Sequence, residues 1–149
     1  MKRIILIAVV SAVLLATACG RDTLDEALAE RLGEGVDAGG GSRIDPQALT
    51  DFDWDKLWVF GPYTPGEVVE ETIGFSWGPA DHAAPLTEGQ YLYVFVLGDK
   101  VVRHALAPGD SEPLVRDEPW EPGDVFIVQD ATDAWGPRTV VVPIDASSP

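Results

Sequence analysis

All thirteen aromatic residues (five Trp, five Phe, three Tyr) fall between Phe52 and Trp135, and none occurs in the first 51 positions. Aromatic side chains bury the largest areas, so a core forms where they are. Their distribution divides this 149-residue chain before any motif is read. It predicts one domain over 46–149, preceded by a tether over 19–45 and a leader over 1–18. A domain takes roughly 100–200 residues, which leaves no room for a second of ordinary size. With 46% apolar residues the chain can build a core, so disorder throughout is excluded.

The charge balance narrows the partners. There are 25 Asp and Glu against 10 Lys and Arg, for a net charge of −15 and a pI near 4.2. Binding nucleic acid through phosphates needs a cluster of cations, so no nucleic-acid partner is expected. A cationic partner suits this surface better.

Residues 1–18 read as an export signal. Lys2 and Arg3 form a positive start, Ile4 to Leu15 an apolar stretch broken only by Ser11, and Ala16-Thr17-Ala18 a small-residue cleavage region. The apolar run is shorter than the roughly 20 residues a spanning helix needs. Cys19 follows, the one cysteine of the chain, so it can form no internal disulfide. The run ending at Cys19 resembles the lipobox of bacterial lipoproteins, with Ala16 where the box prefers Leu. The resemblance implies a diacylglyceryl thioether on Cys19, cleavage before it, and a further acyl chain such as palmitate on the new amine. The alternative is an ordinary Ala-x-Ala cut that frees a protein with an odd thiol. Loss of Lys2 and Arg3 leaves eight cations against 25 carboxylates, a mature charge of −17. The place implied is the bacterial cell membrane, outside the cytoplasm, with contact through the lipid on Cys19.

Within the tether, Thr23 to Glu26 matches a capping box. Leu24, Leu28 and Leu32 share a helical face, and Gly33 can end the helix. So short a helix is marginal unless it docks. The glycine-rich stretch 33–42 reads as a flexible linker.

The domain reads as α+β: a small, mostly antiparallel sheet of about 4–5 strands with one helix packed on a face. Leu57 to Phe60 is apolar on both sides and reads as a central strand. Thr64-Pro65-Gly66-Glu67 reads as a helix start with Thr64 as cap, Tyr63 and Val68 as a staple, and Gly74 as the stop. Tyr91–Leu97 and Val101–Leu106 form a hairpin about Gly98-Asp99. Val125–Val128 and Thr139–Val142 are further strands.

Several patterns bear on chemistry. Gly74-Phe75-Ser76-Trp77-Gly78 matches the Gly-x-Ser-x-Gly elbow of hydrolases, with His82 or His104 as a base. The elbow needs a strand before the Ser and a helix after, and here a helix precedes. Asp51, Asp53 and Asp55 open like a calcium loop, but Lys56 and Pro62 stand where it needs Gly and Glu. No metal or cofactor is expected. Trp77, Trp120 and Trp135 each start a Trp-x-Pro, in predicted loops. They read as plugs of the core, or as a platform rimmed by Glu118, Glu121 and Asp133 for a glycan or peptide.

The stretch Phe52 to Pro65, with Asp-Trp-Asp-Lys, a strand ending in Phe60 and then Pro62-Tyr63-Thr64, resembles small bacterial lipoproteins and envelope proteins of unassigned function. Tyr93 to Val102 is similar as well. The resemblance covers about half of the mature domain and implies structural roles for Trp54, Pro62 and Tyr63, with no activity attached. The expectation is a lipid-anchored, non-enzymatic envelope module that meets a cationic or envelope protein partner. A tryptophan-based binding module and a small serine hydrolase are the alternatives.

Overall fold

The computed structural model describes residues 24–37, 41–108, 115–133 and 136–144. Among these, the elements run α1 (Glu26–Asp37), β1 (Arg43–Ile44), α2 (Pro46–Leu49), β2 (Lys56–Phe60), α3 (Gly66–Ile73) and α4 (Ala80–Ala83). They continue as β3 (Gln90–Leu97), β4 (Lys100–Pro108), β5 (Val125–Asp133) and β6 (Gly136–Ile144). Among the described residues the named strands pair antiparallel throughout, in two three-stranded sheets of order β2-β3-β4 and β1-β5-β6. The expected single sheet with one helix on a face is thereby corrected. The class is still α+β, but with two sheets and four helices.

The reason lies in β3. Every residue from Tyr91 to Val96 is buried, so both faces of its sheet need cover. On one face Leu57, Val59, Tyr93, Phe95, Ala105 and Ala107 meet Leu28 and Leu32 of α1, with Ile44, Phe126 and Val128 of the second sheet. On the other face Phe60, Leu92, Val94, Val96 and Val101 meet Val69 of α3, Trp77, and Ala80 and Ala83 of α4. The β5–β6 hairpin therefore lies over the first sheet instead of extending it. The third strand of that sheet, β1, comes from the end of the segment read as tether.

A bulge near Val102 keeps β4 in this scheme. The register shifts between Phe95 and Val96, so Phe95 faces Arg103 while Val96 faces Val101. The extra residue turns Val102 and Arg103 to the α1 side and leaves His104 on the other. There His104 is buried, with its ring edge-on to Trp77 at 5.1 Å.

The leading helix differs from its expectation in two ways. Asp25 caps it, its Oδ1 accepting from Leu28 N at 2.9 Å, while Thr23 lies outside the described residues. The helix also runs through Gly33 to Asp37. Gly35 serves close packing: a Cβ there would stand 3.1 Å from Ile44 Cγ1. The helix docks, with Leu28 and Leu32 fully buried. Asp25 N donates to His104 O at 2.9 Å, joining the start of α1 to the free edge of β4.

In α3 the cap position falls to Pro65, with no side-chain cap. Thr64 Oγ1 instead donates to Gly61 O at 2.8 Å, which corrects its reading as the cap. Gly74 ends the helix in the left-handed region, φ 88°, as the pattern predicts. β2 is an edge strand of its sheet, not the central one, although both of its faces are covered.

Candidate functional site

Trp77 and Trp120 are 5% and 1% exposed and belong to opposite faces of the β2-β3-β4 sheet. Two rings separated by a sheet share no surface. Trp120 packs edge-on against Phe126 at 4.7 Å, and the Arg116 guanidinium lies 3.6 Å over its ring. Trp135 and Cys19 lie outside the described residues.

Ser76 follows the end of α3 and lacks the strand that an elbow requires. Its hydroxyl donates to Glu70 Oε1 at 2.9 Å, and the same oxygen accepts from Trp77 N. Glu70 thus fastens the loop after α3 back onto the helix. His82 is exposed on α4, while His104 is buried under Trp77. In the acidic run, Asp55 Oδ2 accepts from Gly98 N at 2.9 Å and pins the β3–β4 turn. Asp51 and Asp53 line a shallow depression of about 270 Å³ with Thr50 and Trp54. Among the described residues, no group of three or more His, Cys, Asp or Glu is placed to hold a metal ion.

A larger concavity lies along β2 and α3. One depression of about 470 Å³ is lined by Trp58, Val59, Val68 and Glu71 on one bank and by Val115 and Asp117 on the other. A second, of about 500 Å³, is lined by Pro62, Tyr63, Glu88 and Tyr91. Both include Gly61 and Val115, so they form one trough. Its apolar side chains face water: Tyr63 is 64% exposed, Val68 40% and Val115 42%.

Tyr63 is the one non-glycine residue with positive φ among the described residues, at 61°. It is the third residue of the turn Gly61-Pro62-Tyr63-Thr64, closed by Thr64 N donating to Gly61 O at 3.4 Å. Positive φ at that position is the mark of a type II turn, which ordinarily takes Gly there. A Tyr costs about 1–2 kcal/mol in this region. Its ring is not repaid by burial: Tyr63 and Val68 are both exposed, and with the cap at Pro65 they no longer occupy the two positions of a staple.

The charges at the trough are unequal. Glu71, Glu88 and Asp117 are exposed on its banks. The one cation among the described residues that line it is engaged elsewhere: Arg116 donates to the carbonyls of Glu118 and Pro119, reaches Asp124 Oδ2 at 3.4 Å and covers Trp120. Sequence reasoning missed Val115 and gave Tyr63 only a packing role. Their exposure depends on how the 115–120 segment returns to β2, which has no local signal.

Comparison with family models, curated proteins and solved structures finds no match. Among the described residues, no helix is long and apolar enough to cross a membrane.

Proposed function

We propose that this chain is a lipid-anchored bacterial envelope protein whose α+β domain is a non-enzymatic binding module. The observation that carries the binding role is Tyr63, a strained residue whose ring stands in water at the trough. Strain of this kind persists where the surrounding structure over-determines it, and it concentrates at ligand-contacting sites. The engagement of Ser76 with Glu70 supports a structural reading of the Gly-x-Ser-x-Gly run. The anchor rests on the Lys2-Arg3 start, the apolar run to Leu15 and the small residues before Cys19. The mature charge repels anionic headgroups, so the membrane is met through acyl chains and a cationic or envelope protein is the partner.

Two measurements test this reading. With Cys19→Ala, acyl labelling should disappear and the chain should leave the membrane fraction; an unchanged distribution removes the anchor. Crosslinking in the native envelope should capture a partner through the trough. A crosslink pattern untouched by Tyr63→Ala and Val115→Lys removes the binding role.

A further inference from the structure

We propose that the outer edge of β2, at Val59, takes an extended protein segment bearing Lys or Arg as an added antiparallel or parallel strand lying in the trough. This deepens the binding-module reading and rests on it.

The backbone supplies the first argument. Leu57 and Trp120 exchange two hydrogen bonds, N to O in each direction at 2.8 Å. Leu57 therefore turns both backbone groups away from β3. In an antiparallel ladder such groups recur at every second residue, so Val59 turns its N–H and C=O to the same outer side. Among the described residues no backbone partner meets Val59 there. Beyond the Trp120 bridge, Val115 and Asp117 stand on the far bank of the 470 Å³ depression that Val59 lines. An open strand edge of this kind is the template that strand addition uses.

The side chains supply the second. Val68 and Val115 are exposed on opposite banks, beside half-buried Trp58, and give apolar side chains of an incoming strand a place to pack. Glu71, Glu88 and Asp117 give cationic side chains a place to pair. Charge also selects against a second copy of this chain, which would bring the same surplus of carboxylates to the contact.

The test uses the full chain in detergent micelles and a short synthetic peptide of alternating Val and Lys. Binding is read by fluorescence titration and by amide NMR. The peptide should shift the Val59, Gly61 and Val115 amides and slow exchange at Val59. Replacing its Lys by Glu, or methylating alternate backbone nitrogens, should weaken binding by about tenfold or more. Val68→Lys and Val115→Lys alter exposed positions; with Tm unchanged, each should weaken it about tenfold. Equal binding of the N-methylated peptide, or shifts that leave Val59 unmoved, overturns the proposal. So does a concentration-dependent dimer that moves the same amides, since the edge then serves self-association. An acylated chain that fractionates with membranes but fails this titration loses strand addition alone, and the anchor reading stands.

Discussion

The helices α1 and α3 lie on opposite faces of one sheet and use their side chains differently. α1 buries Leu28 and Leu32 completely against β4 and the second sheet. α3 buries Val69, half-buries Ile73 and leaves Val68 in water beside the trough. A side-chain cap is expected on both helices and is found on α1 alone, at Asp25. α3 carries the clearer start signal in its Thr-Pro-Gly-Glu run, yet it has no side-chain cap. α1 was marginal by length, yet Asp25 caps it and its core contacts are complete. Capping residues mark where a helix begins. They do not measure how deeply its face is buried, which depends on a surface far along the chain.

The comparison breaks first on the core. Leu28→Ala and Leu32→Ala should each cost about 2–5 kcal/mol in urea unfolding. Val69→Ala, on the opposite face, removes less side chain and should cost about 2 kcal/mol. A Leu32→Ala cost below that of Val69→Ala would reverse the ranking of the two helices.

Close approach is the next lever. A Cβ on Gly66 would stand 2.7 Å from Asp81 N and 2.8 Å from Ala80 C, both backbone atoms of the α4 turn. Gly66→Ala should therefore destabilise by about 1–3 kcal/mol in the same assay, although helix propensity alone favours Ala by about 1 kcal/mol. At Gly35 the neighbour is the Ile44 side chain, which can yield, so Gly35→Ala should cost less. Equal losses at the two glycines would mean that α1 and α3 are equally constrained.

Smaller effects test the caps. Asp25→Ala should lose about 1 kcal/mol of stability. Asp25→Asn keeps an acceptor for Leu28 N and removes only the part-exposed pair with Arg103, 3.6 Å away, so calorimetry should show little change. At Tyr63 the effect should be a gain. Tyr63→Gly relieves the positive φ and should raise stability by about 1 kcal/mol or less, while weakening the peptide titration. A loss of stability there would show that the Tyr63 ring packs more than its exposure indicates.

Much of the β2-β3-β4 sheet was legible because its signals are local. Leu57 to Phe60 and Tyr91 to Leu97 are apolar runs of strand length, and Gly98, with φ 64°, turns the hairpin. The second sheet was not legible as a sheet. β1 has two residues, too few for a period, and its pairing of Ile44 with Phe126 spans most of the chain. The four-residue helices α2 and α4 are too short to show a repeat. The docking of α1 was hidden for a different reason. It depends on Ala105 and Ala107, small side chains on β4 that leave space beneath Leu28 and Leu32. For the candidate site, the exposure of Val68 and Val115 and the backbone of Tyr63 follow from packing between distant segments, while the surplus of carboxylates was plain from composition.

The docking of α1 also sets a length. With a lipid on Cys19, as proposed, a free segment through Asp45 would let the domain range up to about 90 Å from the bilayer. With α1 seated on β4 and Asp25 bonded to His104, the chain between Cys19 and Leu24 spans about 17 Å at full extension. That is about two Debye lengths at physiological salt, a distance at which the headgroup charge is already largely screened. Leu28 and Leu32 would then do more than fill a core: they would set the length of the tether, and releasing them would pay out a longer line.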